Sequence, residues 1–379
     1  MFFSEIIGQQ SLKTRLIQTI KENRISHAYL FLGPEGSGCL PLAITFAQYV
    51  NCTDKREEEP CGKCLSCVKY KKLAHPDLHF VFPVIKPAGG KAAVSDLYIK
   101  EWRATVVSNP YITYNQWLET MGGENKQGGI FVDESKEILN KLNFKTYEAE
   151  YKVMIIWLAE KMKPQTANKL LKILEEPPEK TLFLLIAEST DQILSTILSR
   201  TQIVRVPKID VQSLADYLQS SGLSDEKKSL NAAHISNGNL AEALNVLQTS
   251  EKNVLYLELF KKLMRTCWSV WANKQAMLEL VKLCEEIVKL GREQQKAFLI
   301  YAIRLVRENF ILNRQQAELS FLTDEENDFS QKFNNFINPE NVLQIADELN
   351  KAHYHIESNG NKNLVFLDLA CKLVLLLKT

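Results

Sequence analysis

The sequence predicts an α/β domain on a parallel sheet, followed by a stretch that is helical throughout. Three observations predict it. Apolar runs of strand character, at 28–32, 78–82, 151–159 and 181–187, alternate with stretches of helical periodicity. The first run feeds the Gly-rich turn "GPEGSG", of the kind that leads from strand to helix around a phosphate. After Pro207 the strand signal fades, and 208–379 reads as helix. Strands alternating with helices imply a parallel sheet with helices on both faces.

The elements follow in order. Residues 9–24 carry Leu12, Leu16, Ile17 and Ile20 at helical spacing. The strand at 28–32 leads into the loop with Gly33, Gly36 and Gly38, then a helix over 43–49; Pro41 is tolerated in its first turn. A cysteine cluster precedes the strand at 78–82. Residues 83–129 differ in texture: "KPAGGKAAVSD" and "MGGENKQGG" are loop-like, and a helix over 95–107 lies between them. This reads as an insertion carrying Trp102, Tyr111, Tyr114 and Trp117, aromatics expected to pack onto their own domain, with a partner or DNA as the alternative. A helix over 133–142 precedes the buried strand "YKVMIIWLA". The helix "TANKLLKILEE" must stop before Pro177-Pro178. The strand 181–187 follows, then a helix and a short strand in "ILSTILSRTQIVRVP". The expected division is an α/β domain over 1–207, a small helical domain over 208–250 and a larger helical domain over 251–379, with a break near Ser250.

A length of 379 residues suits two or three domains. With 45% hydrophobic and 24% charged residues the composition is that of an ordinary globular protein. The net charge of +1 gives no overall pull toward nucleic acid or membrane. "MFFSEIIGQQ" lacks the pattern of a signal peptide. The run "LVFLDLACKLVLLL" is interrupted by Asp368 and Lys372 and is too short to span a bilayer. A cytoplasmic protein with no membrane partner is expected.

Of the eight cysteines, Cys52, Cys61, Cys64 and Cys67 cluster, whereas Cys39, Cys267, Cys284 and Cys371 stand alone. Cys-x8-Cys-x2-Cys-x2-Cys can close a tetrahedral shell of four thiolates around Zn²⁺, leaving no position for a catalytic water. Structural zinc is the expectation; reduced surface thiols and an iron–sulfur cluster are the alternatives. Lys63, Lys69, Lys71 and Lys72 read as a solvated face. His75, His353 and His355 lack a partner set and are read as non-ligands.

A working phosphate loop needs Lys for the β/γ-phosphates and Ser or Thr for Mg²⁺. This loop continues with Cys39 and Leu40. Hydrolysis also needs acids at the end of a buried strand, where Trp157 and Leu158 stand; Glu160 lies beyond them. Turnover at a site of this chain's own is therefore not expected, and ATP binding would rest on the loop backbone alone.

Several phrases together resemble one family. "GQQSLKTRLIQTIKENRISHAYLFLGPEGSG", the cysteine cluster, "HPDLHFVFP", "ANKLLKILEEPPEKTLFLLIAEST" and "TILSRTQIVRVP" are similar to the bacterial clamp-loader subunits of DNA polymerase III, over most of 1–210, and "ISNGNLAEALNVL" extends the likeness. The resemblance implies an AAA+ P-loop-type sheet domain, a small helical lid and an all-α collar. It implies the DNA polymerase III holoenzyme as the setting, with delta, gamma and tau subunits and primed DNA as partners and the sliding clamp as an indirect one. Motor subunits of the family carry complete loops and an Asp-Glu pair; another kind often lacks them. Cys39-Leu40, Trp157-Leu158 and Ala241, at the place of the family's sensor arginine, favour the second kind. The family's Ser-Arg-Cys motif stands as Ser199-Arg200-Thr201. Its Arg is implied to act in trans, as an arginine finger on a neighbouring subunit's ATP. The alternatives are an active motor-type ATPase and a zinc-containing DNA-binding module.

Overall fold

The computed structural model describes residues 1–87, 92–123, 126–248, 250–273, 275–316 and 319–378. It falls into two compact units, Met1–Asn245 and Val246–Thr379. The glycine pair of "KPAGGKAAVSD" and parts of "MGGENKQGG" lie outside the described residues, as does residue 249 beside the expected break.

The first unit holds a five-stranded sheet of β1 (Ala28–Leu32), β2 (Leu78–Val81), β3 (Lys152–Trp157), β4 (Thr181–Ala187) and β5 (Gln202–Arg205). The order is β2-β3-β4-β1-β5, and every pairing is parallel. β3 and β4 are buried along their whole length, as strands covered on both faces must be. Alternate residues divide between two cores. Tyr29, Phe31, Ile155, Trp157 and Leu184 face one. Ala28, Leu30, Met154, Ile156 and Leu185 face the other.

Helices fill both layers. α1 (Gln10–Lys21) buries Leu12, Leu16, Ile17 and Ile20, as its periodicity requires. α2 (Cys39–Val50) is buried on all sides and begins four residues earlier than expected. Pro41 sits at its third position, where the missing N–H is one the helix leaves unpaired anyway. α3 (Leu65–Lys71) carries the end of the cysteine cluster. α4 (Ile99–Ser108) and α5 (Tyr114–Thr120) lie in the segment expected to be an insertion. Trp102 and Trp117 from these helices are fully buried, Trp102 stacked on Phe82 at 4.3 Å. α6 (Val132–Asn143) and α7 (Pro164–Glu175) serve the other face, and α7 stops before the two prolines. α8 (Ser195–Leu198) precedes β5. The unit closes with α9 (Val211–Ser220) and α10 (Glu226–Ile235), capped by Asp210 and Asp225, and the start of α11 (Leu240–Gln248).

Glu134 of α6 ties the two layers of chain around β2. It is 1% exposed and accepts hydrogen bonds from the Ser95 N–H (2.6 Å) and hydroxyl (3.0 Å), while its other oxygen has no partner. Burial pushes this carboxyl up to about 7 from an ordinary 4.5. Below pH 4.5 it is neutral folded and unfolded, so burial then costs nothing in ionisation. Between pH 4.5 and 7 the unfolded chain ionises it while the folded chain keeps it protonated, so stability falls by roughly 3 kcal/mol across that window and levels off above 7. Thermal melts from pH 5 to 8 are expected to show this decline, and Glu134→Gln, which keeps the acceptor, to flatten it. An unchanged slope in the variant would contradict the assignment.

The second unit is helical: α12 (Ser250–Ser269), α13 (Ala276–Lys289), α14 (Arg292–Asn313), α15 (Asp324–Phe333), α16 (Val342–Glu357) and α17 (Lys362–Leu376). Phe260, Phe298, Leu305, Ile345, Ile356 and Leu373 stand in its apolar core. A buried pair, Arg304 with Glu326, is joined by the Tyr301 hydroxyl at 2.7 Å from the same carboxylate. None of the described helices is long and apolar enough to cross a membrane.

Candidate functional site: a phosphate loop, an arginine and a cysteine cluster

The loop Gly33–Gly38 lies where β1 ends between β4 and β5, at the carboxyl edge of the sheet. Open parallel sheets bind ligands in such crevices. The Gly33 N–H donates to Ala187 O (3.1 Å), and the Val206 N–H to Leu32 O (2.8 Å), so the loop is fixed from both neighbouring strands. Gln9 reaches in with its amide, donating to Pro207 O at 2.6 Å and Ser37 O at 3.3 Å.

Two of the glycines are required by close approach. A Cβ on Gly36, whose φ is +75°, would stand 2.1 Å from Asn239 Oδ1. A Cβ on Gly38, at φ +95°, would stand 3.2 Å from Cε1 of Tyr111. Asn239 caps α11, accepting from the Glu242 N–H at 3.2 Å, and its amide donates to Glu35 of the loop at 3.4 Å. The phrase "NGNLAE" carries the capping signal, Asn with Glu three residues on. Nothing local in it says that this cap meets a loop two hundred residues away.

The side chains that follow the loop and end β3 are buried and apolar. Cys39 is buried, and burial pushes its thiol up to about 12, so it stands as a neutral group with its sulfur 3.9 Å from Gly33 O. Leu40, Trp157 and Leu158 are buried with it. Leu158 adopts a left-handed backbone, φ +55°, unusual for leucine and held here by packing. Glu160 falls in the short turn after β3 and accepts the Glu188 N–H at 3.3 Å rather than lining the loop cavity. Pro110, Tyr111, Ile112, Trp157 and Leu158 crowd the loop and leave a space of about 30 Å³. That is room for about one water.

Arg200 follows the end of α8, at some remove from this loop in its bonding. Its guanidinium donates to Thr196 O (2.9 Å) and Ser199 Oγ (3.3 Å) and pairs with Glu175, at the end of α7, at 2.6 Å. The side chain remains one-third exposed. The pairing with Glu175 has no signal in the sequence, since it joins two helix ends brought together by β4.

The four clustered cysteines do converge. One sulfur from each of Cys52, Cys61, Cys64 and Cys67 lies within 4.8 Å of all the others, the only such group among the described residues. Cys61 and Cys67 sulfurs are 3.9 Å apart. Four sulfurs at ~2.3 Å from one ion stand about 3.8 Å apart in a tetrahedron, so the set fits a metal. Backbone N–H groups already point at the sulfurs, from Cys61 to Cys52 (3.3 Å), Cys64 to Cys61 (3.2 Å) and Cys67 to Cys64 (3.4 Å), as thiolates require. His75 is buried apart from this group, its Nδ1 accepting the Asp77 N–H at 3.1 Å.

A parallel sheet with a Gly-rich loop at the carboxyl end of β1 is the arrangement of an α/β domain of the phosphate-loop type. The family described as DNA polymerase III, delta subunit, matches residues 8–210, more than half of the chain. The chain belongs to that family of DNA polymerase III subunits. It is 29% identical to the delta′ subunit of Bacillus subtilis over 62% of this chain and 58% of that one. It is 28% identical to the tau subunit of the same organism over 65% of this chain and 37% of tau. It is also 25% identical to the gamma subunit of Buchnera aphidicola over 96% of this chain and 91% of gamma. The match thus spans little more than half of the delta′ subunit and about a third of tau. Identity alone does not separate delta′ from gamma and tau.

Proposed function

We propose that this chain is a delta-prime-type subunit of a DNA polymerase III clamp loader. It hydrolyses no ATP itself, and Arg200, oriented by Ser199, serves as an arginine finger for the nucleotide of a neighbouring gamma or tau subunit. One observation carries this reading. The chain keeps a partly exposed guanidinium at a helix end while its own loop has no lysine, no magnesium-binding hydroxyl and no strand-end acids. A guanidinium is always charged and presents a planar fork to phosphate. Gly33, Gly36 and Gly38 are then inherited turn geometry. Cys52, Cys61, Cys64 and Cys67 hold a structural Zn²⁺, whose chemistry is to fix a fold and not to react. The helical segment after residue 207 serves as the lid and the second unit as a collar with the other subunits, delta among them. Primed DNA is met within the assembly, and the sliding clamp through it.

The isolated chain with Mg²⁺ and labelled ATP is expected to show no turnover, and the same preparation to co-purify with gamma or tau and delta subunits. Turnover abolished by altering the Gly loop would replace this reading with that of a motor subunit.

A further inference from the structure

We infer that residues 99–118 are a built-in occupant of the phosphate-loop pocket, standing where a nucleotide would and tying loop and lid into one arrangement that does not answer to ATP. The inference rests on the reading of this chain's own site as inert, and extends it from missing groups to a filled space.

Four of the departures from a working site are Cys39, Leu40, Trp157 and Leu158. All four lie in one apolar core, and Trp102, Ile112 and Trp117 of the segment lie in that same core. Trp157, where an acid would be needed, packs on Trp102 at 5.0 Å, and Trp102 in turn meets Trp117 at 5.1 Å. The apolar residues are therefore complementary to the segment, forming the surface on which it sits. A lysine or carboxylate restored at any of these positions would be a charge stranded in that core.

Tyr111 covers the place of the phosphates. Its ring lies against Gly38 at the entry to α2, and a helix N-terminus is where a phosphate would be held. Its hydroxyl accepts the Ile7 N–H at 3.0 Å, which fixes the ring there. The space left at the loop is about 30 Å³, whereas pockets for small ligands run to about 300 Å³ or more.

Glu35 makes the connection to the lid. Its carboxylate takes a hydrogen bond from the Asn239 side chain, at the start of α11, and another from the Tyr114 backbone N–H of the segment. The groups that join loop and lid are covalent parts of the chain.

The test is amide hydrogen exchange on the full chain with and without millimolar Mg·ATP, beside binding of a fluorescent ATP analogue. The wild-type chain is expected to show no nucleotide-dependent protection at 33–40 or 239–243, and no binding. Tyr111→Ala is expected to raise exchange at those two stretches by ~10-fold or more, and Tyr111→Phe, which keeps the ring, to stay near wild type. Cys39→Lys is expected to gain no nucleotide binding while the segment is in place. Protection or binding by ATP in the wild type would overturn the inference, as would micromolar binding by Cys39→Lys or unchanged exchange in Tyr111→Ala. If the alanine variant does not fold, the wild-type and Cys39→Lys measurements decide. ATP turnover by the isolated chain would contradict the inert-site reading itself; binding without turnover removes only the occupant.

Discussion

Serine in place of Cys67 is expected to release one equivalent of zinc per chain and to lower the melting temperature of the first unit by roughly 10 °C, at about 2–4 °C per kcal/mol for a unit of this size. The size of the effect follows from what the cluster holds. Cys52, Cys61 and Cys67 are buried and packed on one another, with no other apolar core of their own. Without an ion, four thiols with N–H groups aimed at them have little to keep them together; structural zinc supplies ~10–16 kcal/mol in small finger peptides. The consequences reach beyond residues 52–67. Glu59, inside the cluster's loop, accepts the N–H groups of Phe3 and Ser4, both at 2.7 Å, and the Tyr49 hydroxyl of α2 donates to Arg56 O at 2.8 Å. The N-terminal strap held this way also carries Ile7, the partner of Tyr111. Cys371→Ser is the control: that thiol is exposed in the second unit and should change neither metal content nor melting. Elemental analysis of purified wild-type chain with no metal, or a Cys67→Ser variant that melts like wild type, would remove the site.

Local patterns were the legible part of this molecule. The cysteine spacing could be read because its ligands are close in sequence, and the structure brings all four sulfurs together. The strands could be read because a parallel sheet buried on both faces leaves apolar runs such as 152–157 and 181–187. The departure of Cys39-Leu40 and Trp157-Leu158 from the phosphate-loop pattern could also be read, but not what packs there. That packing depends on partners far apart: Trp157 on Trp102, Tyr111 on Gly38 and Ile7, Asn239 on Gly36. No periodicity encodes such meetings, because each is made by the tertiary fold. Arg200 is a third case. By position alone it is a cation at a helix end, where cations are favoured anyway, and its finger role rests on the family motif. Its pairing with Glu175 emerged only from the fold.

Arg200→Ala carries the largest expected effect. In a loader reconstituted with gamma or tau and delta subunits, DNA-stimulated ATP hydrolysis should fall by ~10³-fold or more at the site that faces this chain, since a trans finger supplies ~10³–10⁵ in rate. Stability should hardly change, because the side chain's pairing with Glu175 is partly exposed on both sides and such pairs contribute ~0–1 kcal/mol. Lysine at the same position should restore little, for it keeps the charge and loses the planar fork. Hydrolysis at the facing site is best isolated by disabling the other motor sites, so that turnover reports this one interface. The account predicts that turnover at that interface collapses when Arg200 becomes Ala while assembly and melting stay as in wild type. Undiminished turnover in an intact assembly would contradict it.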